Sequence, residues 1–269
     1  MATDTSSSLF ANAQGFEDAS LNATAVQEQL LYDGWLLRFA DVPAKRMRSI
    51  NLVGSPTSEL SLQDRLNRCQ SLYQEKNLPL LFRLNSLGEG PQLDRQLDEL
   101  GYVRSDETLV MGRSLDMPAN APAPSTSGAI CQPIEPAAFA DVLGQLKGSS
   151  EGAVQSHARR LQTLACQALP FCVERTGDPI AAGLVVIDDV FAGIYDVAVA
   201  TSHRRKGWGG LLVCRLMAEA ALRGARWAYL QVDAHNQAAC RLYQRLGFQD
   251  VYTYWYRTAP QAPSQTETQ

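Results

Sequence analysis

The chain has 269 residues, of which 45% are hydrophobic, and its formal net charge is −4 at pH 7. This length suggests one large domain or two small ones. The negative balance excludes a general electrostatic attraction to nucleic acid or to an anionic membrane surface. The six cysteines form no C-x-x-C pair, which favours reduced thiols and predicts no metal site.

Sequence composition along the chain predicts two domains. The first ten residues have neither a basic start nor an apolar core, and no apolar stretch is long enough to span a bilayer. We therefore expect a cytoplasmic protein without nucleic-acid or membrane partners. Residues 116–128 are rich in Pro, Ala and Ser and predict a linker, while residues 259–269 predict a disordered tail. The expected domains are 1–115 and 129–258.

Hydrophobic periodicity predicts an α/β order in both parts. The first domain shows a strand at 34–40 and an amphipathic helix at 62–76. The second domain has strands that are apolar on both faces, as in a sheet covered by helices on both sides. Its predicted strands are 129–134, 170–176, 180–188, 191–200, 227–232 and 248–257, and its predicted helices are 136–147, 151–167, 208–223 and 236–246.

A strand, a basic glycine-rich turn and a helical start follow one another between Val197 and Leu212. This order predicts a phosphate-binding turn, because glycines allow close backbone approach and a helix N-terminus presents free N–H groups. A dinucleotide-binding G-x-G-x-x-G pattern fails, since Leu212 stands at the third glycine position, and no G-K-[ST] follows. The pattern that remains is R-x-x-G-x-G, formed by Arg204, Arg205, Lys206, Gly207, Trp208 and Gly209.

A second pattern lies downstream, in a predicted helix that ends at a glycine. It reads N-x-x-A-x-x-L-Y-x-x-x-G-F and comprises Asn236, Ala239, Leu242, Tyr243, Gly247 and Phe248. In this order and at this separation, the two patterns resemble the signatures of the GNAT superfamily of acetyl-CoA-dependent N-acetyltransferases. The resemblance implies a mixed central sheet flanked by helices, and acetyl-CoA as the co-substrate.

The resemblance also implies roles for individual residues. The expected cofactor-binding residues are Val197, Val199, Arg204, Arg205, Lys206, Gly207, Trp208, Gly209, Gly210 and Asn236. The Val199 amide is the expected donor to the oxyanion, and Tyr243 is the expected general acid toward the departing thiolate. Two structural alternatives stay open, since Tyr243 could be a core aromatic and Asn236 could only cap its helix.

The sequence offers no clear general base. Asp196, Asp233 and His235 are candidates, although each also suits an ordinary solvated or capping position. We interpret His157 as a surface histidine. The basic cluster of Arg38, Lys45, Arg46 and Arg48 is either a solvated face or the lining of a cleft for an acidic substrate.

The first domain contains a partial match to the second signature. Residues 93–102 align with residues 239–248, which pairs Gly101 with Gly247 and leaves Leu97 where Tyr243 stands. The match suggests two tandem copies, the first degenerate and without a cofactor turn. An unrelated α/β domain that ends in helix and glycine is the alternative.

Two functions stay open. The chain is either an acyltransferase that moves an acetyl group from acetyl-CoA to an amine, or a CoA-binding regulatory module without turnover. Pairing of the glycine turn with Tyr243 favours the enzyme. The acceptor is not named by the sequence, because acceptor pockets of this fold come from variable segments, here about 136–167 and the first domain.

Overall fold

The computed structural model describes residues 5–116 and 128–260. The helices are α1 (Thr5–Ala11), α2 (Ala13–Asn22), α3 (Leu62–Glu75), α4 (Gly90–Glu99), α5 (Pro136–Lys147), α6 (Glu151–Gln162), α7 (Trp208–Leu222) and α8 (Gln237–Arg245). The strands are β1 (Glu28–Tyr32), β2 (Trp35–Phe39), β3 (Ile50–Leu52), β4 (Leu81–Asn85), β5 (Val103–Ser114), β6 (Ala129–Pro133), β7 (Gln167–Arg175), β8 (Asp178–Asp188), β9 (Phe191–Val199), β10 (Trp227–Asp233) and β11 (Gln249–Thr258). No helix among these elements is long and apolar enough to cross a membrane.

The chain forms two compact units that are not contiguous in sequence. Unit 1 combines Met1–Ala25 with Leu109–Tyr252, and unit 2 combines Val26–Thr108 with Thr253–Gln269. Their composition differs from the predicted domains 1–115 and 129–258, because the helices before β1 group with the second half of the sequence and the end of β11 groups with the first half. The predicted linker at 116–128 and the predicted tail at 259–269 lie mostly outside the described residues.

Packing of Phe16 explains why the N-terminal segment belongs to unit 1. This side chain is fully buried and contacts Phe191 edge-on, with ring centroids 5.5 Å apart. Its ring also lies 5.4 Å from that of Tyr229. Burying a phenylalanine contributes about 2 kcal/mol. The sequence patterns gave no prediction for α2, whose apolar residues are few.

Unit 1 is a mixed sheet with helices on both faces. Strand β8 pairs antiparallel with β7 and β9, while β9 pairs parallel with β10. Alternate residues of β8 face opposite sides: Val185 and Ile187 pack in the core that contains α7, whereas Leu184 packs with Phe139 of α5. A strand buried on both faces explains its continuous apolar sequence.

The elements of unit 1 follow the predicted order, with one shifted boundary. Helix α6 ends at Gln162 instead of 167, and β7 begins at Gln167 instead of 170. The Thr163 hydroxyl donates to the Arg160 carbonyl at 3.0 Å and closes the last helical turn. Leu164 and Cys166 then pack against the core from a non-helical chain, so that apolar spacing alone overextended the helix.

Unit 2 has its own sheet and core. Its strands are arranged in the order β1, β2, β3, β4 and β11, and β3 pairs parallel with β4. Helices α3 and α4 cover a buried core that includes Trp35, Phe82 and Leu97. The succession β3, α3, β4, α4 repeats the succession β9, α7, β10, α8 of unit 1. Gly101 and Gly247 follow the last helices and both adopt positive φ, at 79° and 87°.

Candidate functional site

The site of unit 1 begins where two parallel strands separate. Pairing of β9 with β10 ends at Ile194 and Leu230, although β9 continues to Val199. The Ala200 amide donates to the Ile180 carbonyl of β8 at 2.8 Å. Since N–H groups alternate along a strand, the amides of Val197 and Val199 point away from β8, into the opening beside β10.

A β-bulge marks the start of this opening. The register of β8 with β9 shifts between Ala182 and Leu184, so that Gly183 stands opposite both Asp196 and Val197. Asp196 has φ of 54°, a conformation that aspartate tolerates better than most residues. The bulge places Tyr195 on the α5 and α6 face while Val197 packs on the α7 face.

The predicted phosphate-binding turn leads directly into α7. Gly207 is the N-cap residue and has φ of 89°, which favours glycine, and Arg205 also has positive φ, at 59°. The first intrahelical bond in this turn runs from the Leu211 amide to the Gly207 carbonyl at 3.0 Å. The amides of Trp208, Gly209 and Gly210 therefore have no acceptor within the helix.

Three cationic side chains of this turn are exposed. Arg204 Nε donates to the Val199 carbonyl at 3.3 Å, and Lys206 Nζ donates to the Ser202 carbonyl at 2.9 Å. Arg205 lies between them and is exposed as well. With the positive end of the α7 dipole, these charges make the turn suited to an anion.

The glycines and the tryptophan of the turn have different surroundings. A Cβ on Gly209 would lie 3.5 Å from Leu242 Cδ2 and 3.7 Å from Val199 Cγ2. The missing side chain thus faces the space bounded by β9 and α8. Trp208 is 2% exposed and packs in the core, so that only its backbone amide is available to a ligand. The cofactor contact predicted for Trp208 is therefore limited to its backbone.

Helix α8 presents the second signature. Asn236 is its N-cap, and its Oδ1 accepts from the Ala239 amide at 3.1 Å, as the structural alternative predicted. Tyr243 is partly buried against the core and contacts Phe248 edge-on at 6.1 Å between ring centroids. Burial and the nearby Cys240 raise the pKa of Tyr243, so that its hydroxyl is protonated at neutral pH.

Asp196 lies in a charged cluster on the α5 and α6 side of β9. Its Oδ1 is 3.0 Å from Lys147 Nζ, and its Oδ2 is 3.6 Å from His157 Nε2. The His157 side chain is only 15% exposed and stacks edge-on with Phe139. The interpretation of His157 as a surface histidine is therefore wrong. Apolar spacing along α6 identified its buried face but not this polar residue within it.

The other two base candidates have local roles. The Asp233 carboxylate accepts from the His235 amide at 2.8 Å and closes the turn between β10 and α8. Asp233 and His235 are both exposed. Of the three candidates, only Asp196 is brought together with other ionisable side chains beside the strand opening.

The equivalent segment of unit 2 is built differently. Asp33 lies in the turn between β1 and β2, and its side chain reaches the loop between β3 and α3, where Oδ1 accepts from the amides of Thr57 at 2.7 Å and Ser58 at 2.9 Å. Arg65 Nε lies 2.9 Å from Asp33 Oδ2, and the guanidinium stacks on Trp35 at 3.8 Å. Backbone donors that could bind a ligand thus bind a carboxylate of the chain itself.

The predicted basic cluster of unit 2 has mixed surroundings. Lys45 Nζ pairs with Asp106 at 2.5 Å and lies 5.4 Å from the Tyr256 ring centroid. Arg38 is 4% exposed on β2. The cluster is therefore no uniformly solvated face, and a role toward an acidic substrate stays a prediction.

Comparison with known proteins agrees with this geometry. Residues 142–248 match the model of the acetyltransferase (GNAT) family. An uncharacterized N-acetyltransferase of Bacillus subtilis, YobR, is 28% identical over 228 residues, which are 83% of this chain and 89% of the relative. The [ribosomal protein bS18]-alanine N-acetyltransferase of Escherichia coli is 38% identical over 67 residues, 25% of this chain and 44% of that enzyme.

Solved structures share the fold at low sequence identity. A GCN5-related N-acetyltransferase from Kribbella flavida has a TM-score of 0.70 at 17% identity and covers 93% of this chain and 96% of its own. A tandem GNAT protein from the clavulanic acid biosynthesis pathway has a TM-score of 0.64 at 17% identity. The match covers 80% of this chain and 76% of that protein. Residues 142–248 are therefore similar in sequence to the acetyltransferase (GNAT) family, and the chain shares the fold of solved GNAT structures.

Proposed function

We propose that the protein transfers an acetyl group from acetyl-CoA to an amine and that unit 1 carries out the transfer. The observation that carries the proposal is the joint geometry of the strand opening and the α7 turn. Amides of Val197 and Val199 face the opening, and the turn beside it presents free helix amides at a glycine N-cap. Together they provide separate places for a carbonyl and for phosphates.

The residues present fit acetyl-CoA. Phosphates suit the amides of α7 and the exposed Arg204, Arg205 and Lys206, and an extended arm suits the unpaired edge of β9. Gly209 leaves open the space beside Val199 and Leu242. When bound there, acetyl-CoA supplies the thioester that is the acetyl donor. No group of three or more His, Cys, Asp or Glu side chains in the described segments could hold a metal.

The chain's own residues then have distinct tasks. The Val199 amide donates a hydrogen bond to the acetyl oxygen as negative charge develops there, with the Val197 amide beside it. Acetyl transfer forms a bond from nitrogen to carbon, breaks the bond from carbon to sulfur and releases one proton from the amine. The Tyr243 hydroxyl is protonated at neutral pH and supplies a proton to the departing sulfur.

Unit 2 is proposed as a degenerate GNAT-like copy without a cofactor of its own. The repeated order of elements and the paired glycines Gly101 and Gly247 support duplication. Asp33 occupies the loop donors of unit 2, and Leu97 stands where Tyr243 stands in unit 1. The cytoplasmic location also stays a prediction, as does the lack of nucleic-acid and membrane partners.

Thiol release from acetyl-CoA in the presence of different amines tests the proposed function. The panel includes a peptide that begins with alanine, because the Escherichia coli relative is named for an alanine of ribosomal protein bS18. We expect amine-dependent release of free CoA and a mass gain of one acetyl group on the amine. CoA binding without any release would contradict the proposal and favour a regulatory module.

A further inference from the structure

The charged cluster at the β9 bulge lies in the region where we expect the acceptor. Lys147 ends α5 and His157 belongs to α6, two helices that fall within the variable segment 136–167. Both side chains converge on Asp196. Neither signature includes these three residues, so the two patterns assign them no role.

Position along the backbone connects Asp196 to the proposed reaction centre. It directly precedes Val197, whose amide faces the strand opening, and neighbouring Cα atoms are about 3.8 Å apart. The positive φ of Asp196 turns its side chain toward α5 and α6, while Val197 packs against the α7 core. A carboxylate therefore lies beside the opening, on the side opposite to α7.

His157 lies beside one oxygen of this carboxylate, and Arg160 contacts the opposite nitrogen of the His157 ring. Arg160 Nη2 is 3.1 Å from His157 Nδ1, and because a guanidinium only donates, Nδ1 must accept. The proton of a neutral His157 then lies on Nε2, which is 3.6 Å from Asp196 Oδ2 and so contacts it electrostatically without a hydrogen bond. Asp196 Oδ1 contacts a different partner.

That partner is a primary ammonium group on an unbranched alkyl chain. Lys147 Nζ lies 3.0 Å from Oδ1, and the Lys147 side chain is 43% exposed, against 17% for Asp196. An exposed lysine pays side-chain entropy to hold such a pair, which contributes little and opens readily. Its ammonium group has the charge and size of a protonated primary amine, which binds as a cation and loses one proton to solvent before its neutral nitrogen attacks the thioester.

We propose that Asp196 is the acceptor-binding carboxylate and that Lys147 is an internal competitor that occupies its place until a cationic primary alkylamine displaces it. The proposal rests on the proposed function and specifies its acceptor class. The closed form of an exposed ion pair is favoured over the open form by a factor of only about 1.4 to 5. Removal of the Lys147 ammonium group therefore improves the apparent affinity of Asp196 for the amine about two- to sixfold.

Substitutions of Lys147 and Asp196 are therefore expected to have opposite effects on amine binding. With cadaverine as the acceptor, we expect Lys147→Met to lower KM about two- to sixfold at unchanged kcat. Asp196→Asn keeps a residue that tolerates positive φ and removes the charge, and we expect kcat/KM to fall about 10- to 100-fold. A purely structural ion pair predicts losses in both variants. An unchanged or higher KM in Lys147→Met, or normal kcat/KM in Asp196→Asn, overturns the proposal.

Matched controls and a second probe complete the test. Lys76→Met and Asp106→Asn break ion pairs of unit 2, both 2.5 Å long, and are expected to leave the kinetics unchanged. An arylamine such as 4-methylaniline is uncharged at neutral pH and should be a poorer acceptor than cadaverine. Equal or better turnover of the arylamine contradicts the assignment of Asp196.

A binding measurement separates this proposal from the proposed function. If no amine releases thiol, the proposed function fails, but calorimetry of cadaverine still reports on Asp196. Tighter cadaverine binding to Lys147→Met than to the wild type supports the inference. Equal binding to the wild type, Lys147→Met and Asp196→Asn contradicts it.

Discussion

The segments β9–α7 and β3–α3 have the same topology but differ in whether their backbone N–H groups have acceptors within the protein. In unit 1, a glycine N-cap and exposed cations leave the amides of α7 available. In unit 2, the amides of Thr57 and Ser58 bind Asp33, and Ser61 caps α3 by accepting from the Asp64 amide. The first loop is the proposed ligand site, whereas in the second loop the amides of Thr57, Ser58 and Asp64 have side-chain acceptors from the same chain.

The difference shows that a parallel strand followed by a helix does not by itself make an anion site. What matters is whether the donors at the helix start already have acceptors within the protein. The cation of the unit 2 segment also differs from those of the α7 turn. The Arg65 guanidinium stacks on Trp35 and pairs with Asp33, whereas the cations of the α7 turn face solvent. The following predictions test this contrast.

The largest expected effect concerns Tyr243 in α8, the helix that follows β10. The equivalent residue of unit 2 is the fully buried Leu97 in α4, which has no hydroxyl. If this hydroxyl protonates the leaving thiolate, Tyr243→Phe lowers kcat about 10²- to 10⁴-fold with unchanged CoA affinity. Steady-state kinetics and the melting temperature check the prediction together. Near-normal turnover in a stable variant would identify Tyr243 as a core aromatic only.

Gly209→Val tests the space beside the α7 turn. The added methyl groups extend into the space near Val199 and Leu242, where the fold tolerates a Cβ but a bound ligand must pass. We expect CoA affinity to fall about 10- to 100-fold while the fold is retained. Gly54→Val is the matched control in the loop of unit 2, because only Gly34 Cα lies within 4 Å of its Cβ, at 3.9 Å. Equal CoA affinity of both variants, measured by calorimetry, would refute the site.

Acid stability tests the loop that Asp33 contacts. Burial alone would raise the pKa of Asp33, but hydrogen bonds from Thr57 and Ser58 and the Arg65 charge lower it from 3.8 to about 2. A depressed folded pKa stabilises the protein above about pH 4, and this contribution is lost as the pH falls toward about 2. Urea unfolding should therefore show a flatter pH dependence in this window for Asp33→Asn than for the wild type.

Glu59→Gln provides the control for this measurement, since Glu59 is exposed in the loop that Asp33 contacts and its substitution removes the same charge. We expect its stability to follow the wild-type pH dependence. If Asp33→Asn and Glu59→Gln behave alike between pH 4 and pH 2, the Asp33 carboxylate does not stabilise unit 2.

The local parts of the fold and site were predictable from the sequence, and the long-range parts were not. Gly207 and Gly247 signalled turns through their place next to periodic helices, and both have positive φ in the structure. Contacts of Phe16 with Phe191 depend on residues far apart in the chain, so that no local pattern indicates them.

The charged groups were the hardest to place. Asp196 interrupts an apolar strand, and this interruption was the only signal for the bulge and its contacts with Lys147 and His157. No sequence pattern singled out Asp33, although its carboxylate binds a loop 24 residues away. Pairing of charges depends on the tertiary structure, which a single sequence does not contain.

The number of acetyl-CoA molecules bound per chain tests the central contrast most directly. Calorimetric titration of the full chain keeps α2 with unit 1, which a fragment of residues 124–260 would lose. We predict one site per chain in the wild type and in Asp33→Asn, because unit 2 lacks the glycine turn even when its carboxylate is removed. Two sites per chain in the wild type, or one site that survives unchanged in Gly209→Val, would contradict the account.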